Sequence, residues 1–582
     1  MLKLADKESY TLRSGILIIS LLFAAPAFAA TAKDEQRAKT LSTVKQQCQW
    51  HLKVPVPDSE FQTPPIDMPK FLDGKKIGDI QYTRYNVFSD DDSVSLNWLY
   101  QWLNGIHTVT KEKVIEQELS FKRSDSFSDV KIRESERLLR NQKFLYDARI
   151  EPISLCNDTV DLRIATRDTW SITPAFNVSH NGDETKTRAS ITESNFLGTG
   201  KLISIARSKD DQRSEFAFIY RDPNVGGTHI QNELEISDNS DGHRHFVGIH
   251  KPFYSFASVD SYGVSYLNEK REDPLYLNKD KLTDIGHELK HYSAYWGHSN
   301  GYHKDKTTRW RYGVSFVEDT FWKTENTTQL KPLNSRKSIY PWIEFNLLQD
   351  HYTTLTNFHS IKRTEDINLG RNFSASLGYS PSSWSDDESR YIFHVRSENA
   401  FKFDKELVAV SGSISGHYLK DRSTTKNLSA NFNGEYYHFS TSDRVFFAGV
   451  NYNLLKNPYI ENQLFLGGDT GMRGYPVRFQ TGDRNAVLKL EQRYYTDQYW
   501  WKLIRVAGAV FTDIGRSWGK QSPLANATSQ KTPWLANIGA GLRLTPSRAD
   551  ANHVIHIDLA VPLTEREHAD SVRFMVSVKN SF

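Results

Sequence analysis

"WLANIGAGLRL", residues 534–544, alternates with period two. Trp534, Ala536, Ile538, Ala540, Leu542 and Leu544 form one apolar face, and Asn537 and Arg543 stand on the other. A helix gathers residues three and four apart on one side; only an extended strand separates neighbours in this way. The parity repeats on both sides of the segment. In "AVLKLEQRYY", Leu488 and Leu490 oppose Lys489, Glu491 and Arg493, and in "RVAGAVFTDIG", Val506 and Val510 oppose Phe511 and Asp513. In "HVIHIDLAV", Ile555, Ile557, Leu559 and Val561 oppose His556 and Asp558. The last segment, "RFMVSVKNSF", puts Phe574, Val576, Val578 and Phe582 on one face.

Alternation alone fits a soluble sandwich as well as a membrane barrel. Three features favour the barrel. Strand-like segments continue from Trp170 for roughly 410 residues without helical periodicity, aromatics cluster near their ends, and the last residue is Phe582. Hydrophobic residues make up 38 % of the 582, below the usual globular share, as expected when every second strand residue faces a wet lumen. Five strands follow residue 485, and up to sixteen candidates precede residue 459. A net charge of +3 gives no electrostatic case for nucleic acid.

The N-terminal part reads differently. Lys3, Lys7 and Arg13 precede the apolar run Gly15–Ala25, and Ala27-Phe28-Ala29 offers a small-residue cleavage site. Residues 1–29 are therefore expected to be a secretory signal peptide. Residues 30–76, with Pro55, Pro57, Pro64, Pro65 and Pro69, read as a tether. Residues 77–168 read as a small α/β domain of order β-α-α-β-β. In it Thr110 is a candidate N-cap for a helix through "KEKVIEQEL", and Ser126 or Ser128 for a second helix carrying Ile132, Leu138 and Leu139. Residues 169–582 are the barrel. Cys48 and Cys156, the two cysteines, fit either a disulfide formed in an oxidising compartment or two separate thiols.

One connection breaks the pattern. Residues 459–485 contain "FLGGDTGMRGYPVRF" (465–479), far longer than the two to five residues of a hairpin turn. Gly467, Gly468, Gly471 and Gly474 suit tight turns and close backbone approach.

Together these residues resemble the POTRA-plus-barrel superfamily of outer-membrane proteins, which includes the BamA and TamA assembly factors, the two-partner secretion transporters and bacterial surface antigens. "GGDTGMRGYP" is similar to that family's long loop with its Arg-Gly-aromatic tip, "LKLEQRYY" to its strand with an inward Glu, and "VFTDIG" to the strand that follows. "ESNFLGTGK" and "YRDPN" are similar to segments that open the barrel, and "TKEKVIEQEL" and "ESERLLRNQKFLYDARI" to a POTRA domain. The resemblance implies an antiparallel transmembrane barrel of about sixteen strands, with one small periplasmic α/β domain. It implies that loop 459–485 folds inward and that Arg473 is locked by Glu491 and Asp513, with Gly474, Tyr475 and Phe511 beside it. Phe511 would pack against Tyr475. Phe574, Val576, Val578 and Phe582 would form a C-terminal assembly signal. The implied function is insertion or translocation of a client polypeptide by strand templating, with no cofactor and no covalent catalysis. The implied partners are outer-membrane lipid, an unfolded client or partner exoprotein, periplasmic chaperones and the barrel-assembly machinery. A passive pore or structural surface antigen of the same fold is the alternative.

Other motifs compete weakly. "HELKH", His287–His291, matches a zinc-hydrolase pattern, but that chemistry needs a helix and the surrounding text alternates as a strand. "HRH", His243–His245, reads as a solvated strand pair. "GTGK", Gly198–Lys201, lacks the first glycine and the Ser/Thr of a phosphate loop. Asp90–Asp92 lacks calcium-loop spacing and reads as a turn.

Overall fold

The computed structural model describes residues 48–51, 61, 68–88, 97–181, 184–210, 212–325, 327, 333–385, 388–520, 532–548 and 554–579. The expected leader at 1–29, Asp90–Asp92 and Phe582 lie outside the described residues.

A small domain comes first. Its strands β1 (Cys48–His51), β2 (Lys76–Tyr85), β3 (Leu145–Cys156) and β4 (Thr159–Asp168) form one sheet in the order β1-β3-β4-β2. β4 is antiparallel to β3 and parallel to β2. The helices are α1 (Asn97–Ile106), α2 (Glu112–Gln117) and α3 (Asp129–Arg140). Ile132 and Leu139 lie a helical face apart on α3 and close over Ile77, Ile150, Leu162 and Ile164.

The expectation for this region is corrected in three places. The stretch read as a tether contains β1, whose register sets Cys48 opposite Cys156; Cys156 is disulfide-bonded, in a chain with two cysteines. "NWLYQWLNGIH", which periodicity leaves unassigned, supplies α1. Thr110 does not cap α2, because Lys111 holds the N-cap position. Thr110 instead donates its N–H and its hydroxyl to Asp168, at 2.7 and 2.9 Å.

The wall begins with β5 (Ile172–Asn181), β6 (Glu184–Glu193), β7 (Leu202–Lys209), β8 (Ser214–Asp222), β9 (Gln231–Asn239) and β10 (Gly242–Lys251). β11 (Asp260–Leu277), β12 (Asp280–Ser299), β13 (Lys306–Lys323) and β14 (Arg336–Gln349) follow. β15 (Tyr352–Thr356) and β16 (Thr364–Asn368) form a separate hairpin. The wall resumes with β17 (Asn372–Ser380), β18 (Arg390–Phe403), β19 (Glu406–Leu419), β20 (Thr424–Thr441) and β21 (Arg444–Lys456). β22 (Leu464–Leu466) and β23 (Gln480–Gly482) pair within the long loop. β24 (Arg484–Trp500), β25 (Ile504–Trp518), β26 (Leu535–Pro546), β27 (Val554–Pro562) and β28 (Arg573–Lys579) complete the ring.

Among the described residues twenty strands thus close an antiparallel barrel, and the expected sixteen is corrected. Parity is blind to this number, because an added hairpin widens the ring without changing which residues face in. Val510, Ile538, Leu542, Leu559 and Phe574 are exposed on the outer surface, whereas Asn537, Arg543, His556, Asp558 and Arg573 are buried inside. An apolar exterior around a charged interior is the arrangement of a membrane-spanning barrel.

Three residues separate β4 from β5, which fixes the end of the barrel that carries the small domain. The domain touches turns spread around that rim. Asn195 donates to Thr110 at 2.9 Å, Asn224 to Glu118 at 3.0 Å and the Phe256 N–H to Glu134 at 2.7 Å. Burial pushes the Glu118 and Glu134 carboxyls up from their ordinary range. Arg548 donates to the Val87 carbonyl at 3.0 Å. The domain therefore lies across the mouth rather than beside it.

Candidate functional site

Arg473 sits within the ring, 4 % exposed. Its Nε and Nη2 donate to the two carboxylate oxygens of Asp513 at 2.8 and 2.5 Å, and its Nη1 donates to Glu491 at 2.7 Å. Its backbone N–H reaches Asp513 at 3.3 Å. The guanidinium lies 3.4 Å over the Phe511 ring. Strand parity explains why these groups converge. Glu491 and Phe511 are register partners on β24 and β25, and Asp513 is two residues further along the same inward face. A planar fork can bond two carboxylates at once and keeps its charge when buried.

The loop backbone is held as tightly. A Cβ on Gly474 would lie 2.7 Å from Asn537 Cβ, so only glycine lets the chain come this close to the wall. The Tyr475 ring is buried against Phe479, at 5.2 Å between centroids. Its hydroxyl lies 2.8 Å from both the Ala536 and Thr564 carbonyls and accepts from the Ala536 N–H at 3.1 Å. Phe511 lies beneath the Arg473 guanidinium, where a desolvated cation gains from the ring face.

Further out, the loop grips the opposite wall. Gln463 exchanges hydrogen bonds with the backbone of Tyr276 at 2.8 and 2.9 Å, and Thr481 pairs with Asn278. Arg336 bridges Glu461 of the loop, at 2.5 Å, and Asp319 of β13, at 3.0 Å. Asp319 also bonds His287 at 3.0 Å, and Asp273 holds the other ring nitrogen at 2.8 Å. His287 and His291 lie on strand β12, so they lack the shared helical face that a zinc hydrolase requires. Among the described residues no cluster of His, Cys, Asp and Glu is suited to a metal ion.

Sequence reasoning missed the second lumenal element. The β15–β16 hairpin enters from the small-domain end. Its Phe358 and Ile361 are buried against the inward residues Leu407, Tyr437, Phe447 and Ala509. Arg493 of β24 ties the hairpin to the carboxylate that holds Arg473: it donates to Glu491 at 3.1 Å and to the Phe358 carbonyl at 3.5 Å. At its base, Asp366 takes a two-pronged bond from Arg140 of α3, at 2.8 Å on each oxygen, and Asp350 takes one from Arg137 at 3.1 Å. The available signal was the length of residues 350–371 combined with Phe358 and Ile361 near its tip. Of the C-terminal residues, Phe574 is exposed on the outer face and Val576 lies at the closure of the ring.

That closure is thin among the described residues. There β28 meets β5 through two register pairs, Met575–Asn181 and Val576–His180. Other neighbouring wall strands share at least seven. Both pairs lie at the end remote from the small domain, where β5 finishes and β28 begins.

No family model matches the chain, and no curated protein matches it. Among solved structures it is similar to BamA from Haemophilus ducreyi lacking POTRA domains 1–3, at 11 % identity and TM-score 0.37 over 86 % of this chain and 84 % of that one. It is similar to CdiB from Acinetobacter baumannii, at 10 % identity and TM-score 0.39 over 94 % and 97 %. It is also similar to the alcaligin outer-membrane receptor FauA from Bordetella pertussis, at 9 % identity and TM-score 0.32 over 73 % of each. These are distant likenesses among large barrels, and they assign no family by themselves.

Proposed function

We propose that this chain is an outer-membrane insertase or translocase that handles a client polypeptide by strand templating at the β28–β5 seam. The observation that carries the reading is the closure through two pairs among the described residues, where the other neighbouring wall strands share at least seven. An unpaired strand edge templates an incoming strand through its free N–H and C=O groups. The unpaired stretch of the seam opens toward the small domain, which on this reading is a periplasmic POTRA-type module delivering an extended client to that edge. The Arg473 lock and the β15–β16 hairpin fill the lumen from opposite ends, which argues against a permanently open pore. No bond is made or broken, so no catalytic residue is assigned.

The test is a disulfide across the seam, N181C with M575C, in the native host. The oxidised barrel is expected to lose its contribution to the outer-membrane proteome or to surface export, and reduction is expected to restore it. An oxidised barrel that supports an unchanged proteome and unchanged export would sink templating and favour the passive pore.

A further inference from the structure

Helix α1 presents an apolar stripe to the outside. Trp98, Trp102 and Ile106 recur every fourth residue on one face, with exposures of 69, 58 and 45 %. The opposite face is anchored. Tyr100 is buried, stacks on Phe88 at 4.5 Å and bonds the Trp501 carbonyl through its hydroxyl. Leu103, Trp170 and Leu503 complete this cluster. The helix is thus fastened to the β24–β25 turn and to the residues leading into β5, close to the seam. None of its ten residues is charged.

We propose that α1 lies in the membrane interface, with Trp98, Trp102 and Ile106 in the headgroup–acyl boundary of the leaflet on the small-domain side. The occupant follows from continuity. The outward apolar band of β24 and β25 carries Tyr494 and Val510 and ends at Trp500 and Trp501, all exposed. Tyr and Trp gather at such boundaries because an apolar ring and a polar N–H or O–H suit the two sides of the interface. The α1 stripe extends this band from the same turn. A helix with one apolar face lying at this depth is an interfacial anchor rather than a span, and at ten residues it is too short to cross. It would hold the small domain against the bilayer beneath the seam.

The inference rests on the barrel spanning a membrane, so the experiment tests the two separately. The full chain is placed in phosphatidylethanolamine–phosphatidylglycerol vesicles with a nitroxide at Gly105→Cys. Gly105 lies on the stripe's side of α1, and an added Cβ there meets nothing within 4 Å, so both tryptophans stay intact. Collision with lipid-soluble oxygen is compared with collision with a water-soluble nickel chelate. Labels at Leu542→Cys on the outer wall and Lys131→Cys on α3 are the lipid and water references. The expected oxygen-to-nickel ratio at residue 105 is several-fold above that at 131, and it falls to the aqueous value in a Trp98→Ser/Trp102→Ser background. A ratio at 105 equal to that at 131, with 542 still lipid-exposed, overturns the anchor alone. Loss of collision with both reagents would place polypeptide on the stripe and also overturns it. An aqueous ratio at 542 would instead remove the membrane reading itself.

Discussion

Replacing Arg473 with alanine unbalances two buried carboxylates unequally. Asp513, with no exposed surface, loses its bonds at 2.8 and 2.5 Å and, among the described residues, keeps a backbone N–H at 3.3 Å. Glu491 loses the bond at 2.7 Å but retains Arg493 at 3.1 Å. Removing one partner of a buried ion pair costs about 3–5 kcal/mol, because the remaining charge stays desolvated. At about 1.4 kcal/mol per factor of ten, the seated loop should be released roughly 100- to 4,000-fold more often. Arg473→Lys keeps the charge but not the fork, so it should fall between alanine and wild type. The assay is single-channel recording in planar bilayers, with heat-modifiability on gels as a check on the fold. Brief openings that are rare in the wild type should become frequent in R473A. The asymmetry gives a second criterion: D513N should release the loop more than E491Q, since Glu491 shares its charge with Arg493. Wild-type gating in R473A, or E491Q exceeding D513N, would refute the reasoning.

Three further outcomes are expected. Gly474→Ala forces a Cβ to 2.7 Å from Asn537 and should weaken loop seating by about 1–3 kcal/mol, read in the same recordings, whereas Gly105→Ala, which meets open space, should change nothing. Arg140→Ala breaks the two-pronged bond to Asp366 and should loosen the β15–β16 hairpin by about 3 kcal/mol, seen as faster amide exchange over residues 352–368, with Asp366→Ala adding little in the double variant. Burial pushes the Glu136 carboxyl up to about 7, against the opposing pull of Arg140. Its folded form therefore holds a proton that the unfolded chain releases near 4.5, so stability should fall as pH rises from about 4.5 to 7. Glu136→Gln should flatten that dependence, measured as protection of the Ile150 amide that bonds Glu136 at 2.7 Å.

Much of the candidate site is legible in the sequence, because it depends on parity. Glu491, Phe511 and Asp513 face inward once β24 and β25 are strands, and that follows from the alternation of the residues around them. Arg473 is named as their partner only through resemblance, since nothing local says whether a long glycine-rich loop turns outward or re-enters. The position of Phe511 under the guanidinium depends on the angle at which the loop arrives. Helix α1 is hidden by its own composition: Trp98, Tyr100 and Trp102 alternate as a strand would, and Trp98, Trp102 and Ile106 recur as a helix would.

The sequence by itself determined that strands alternate, which residues face the lumen, and that the long loop at 459–485 is not a turn. These are short-range properties, set within two or four residues of chain. Tertiary structure decided the twenty-strand closure, the hairpin that fills the lumen from below, the place of β1 in the small domain, and the seam of two pairs. Each of these joins residues far apart in the chain, β5 and β28 by some four hundred, and no local pattern carries the information about where such distant edges meet.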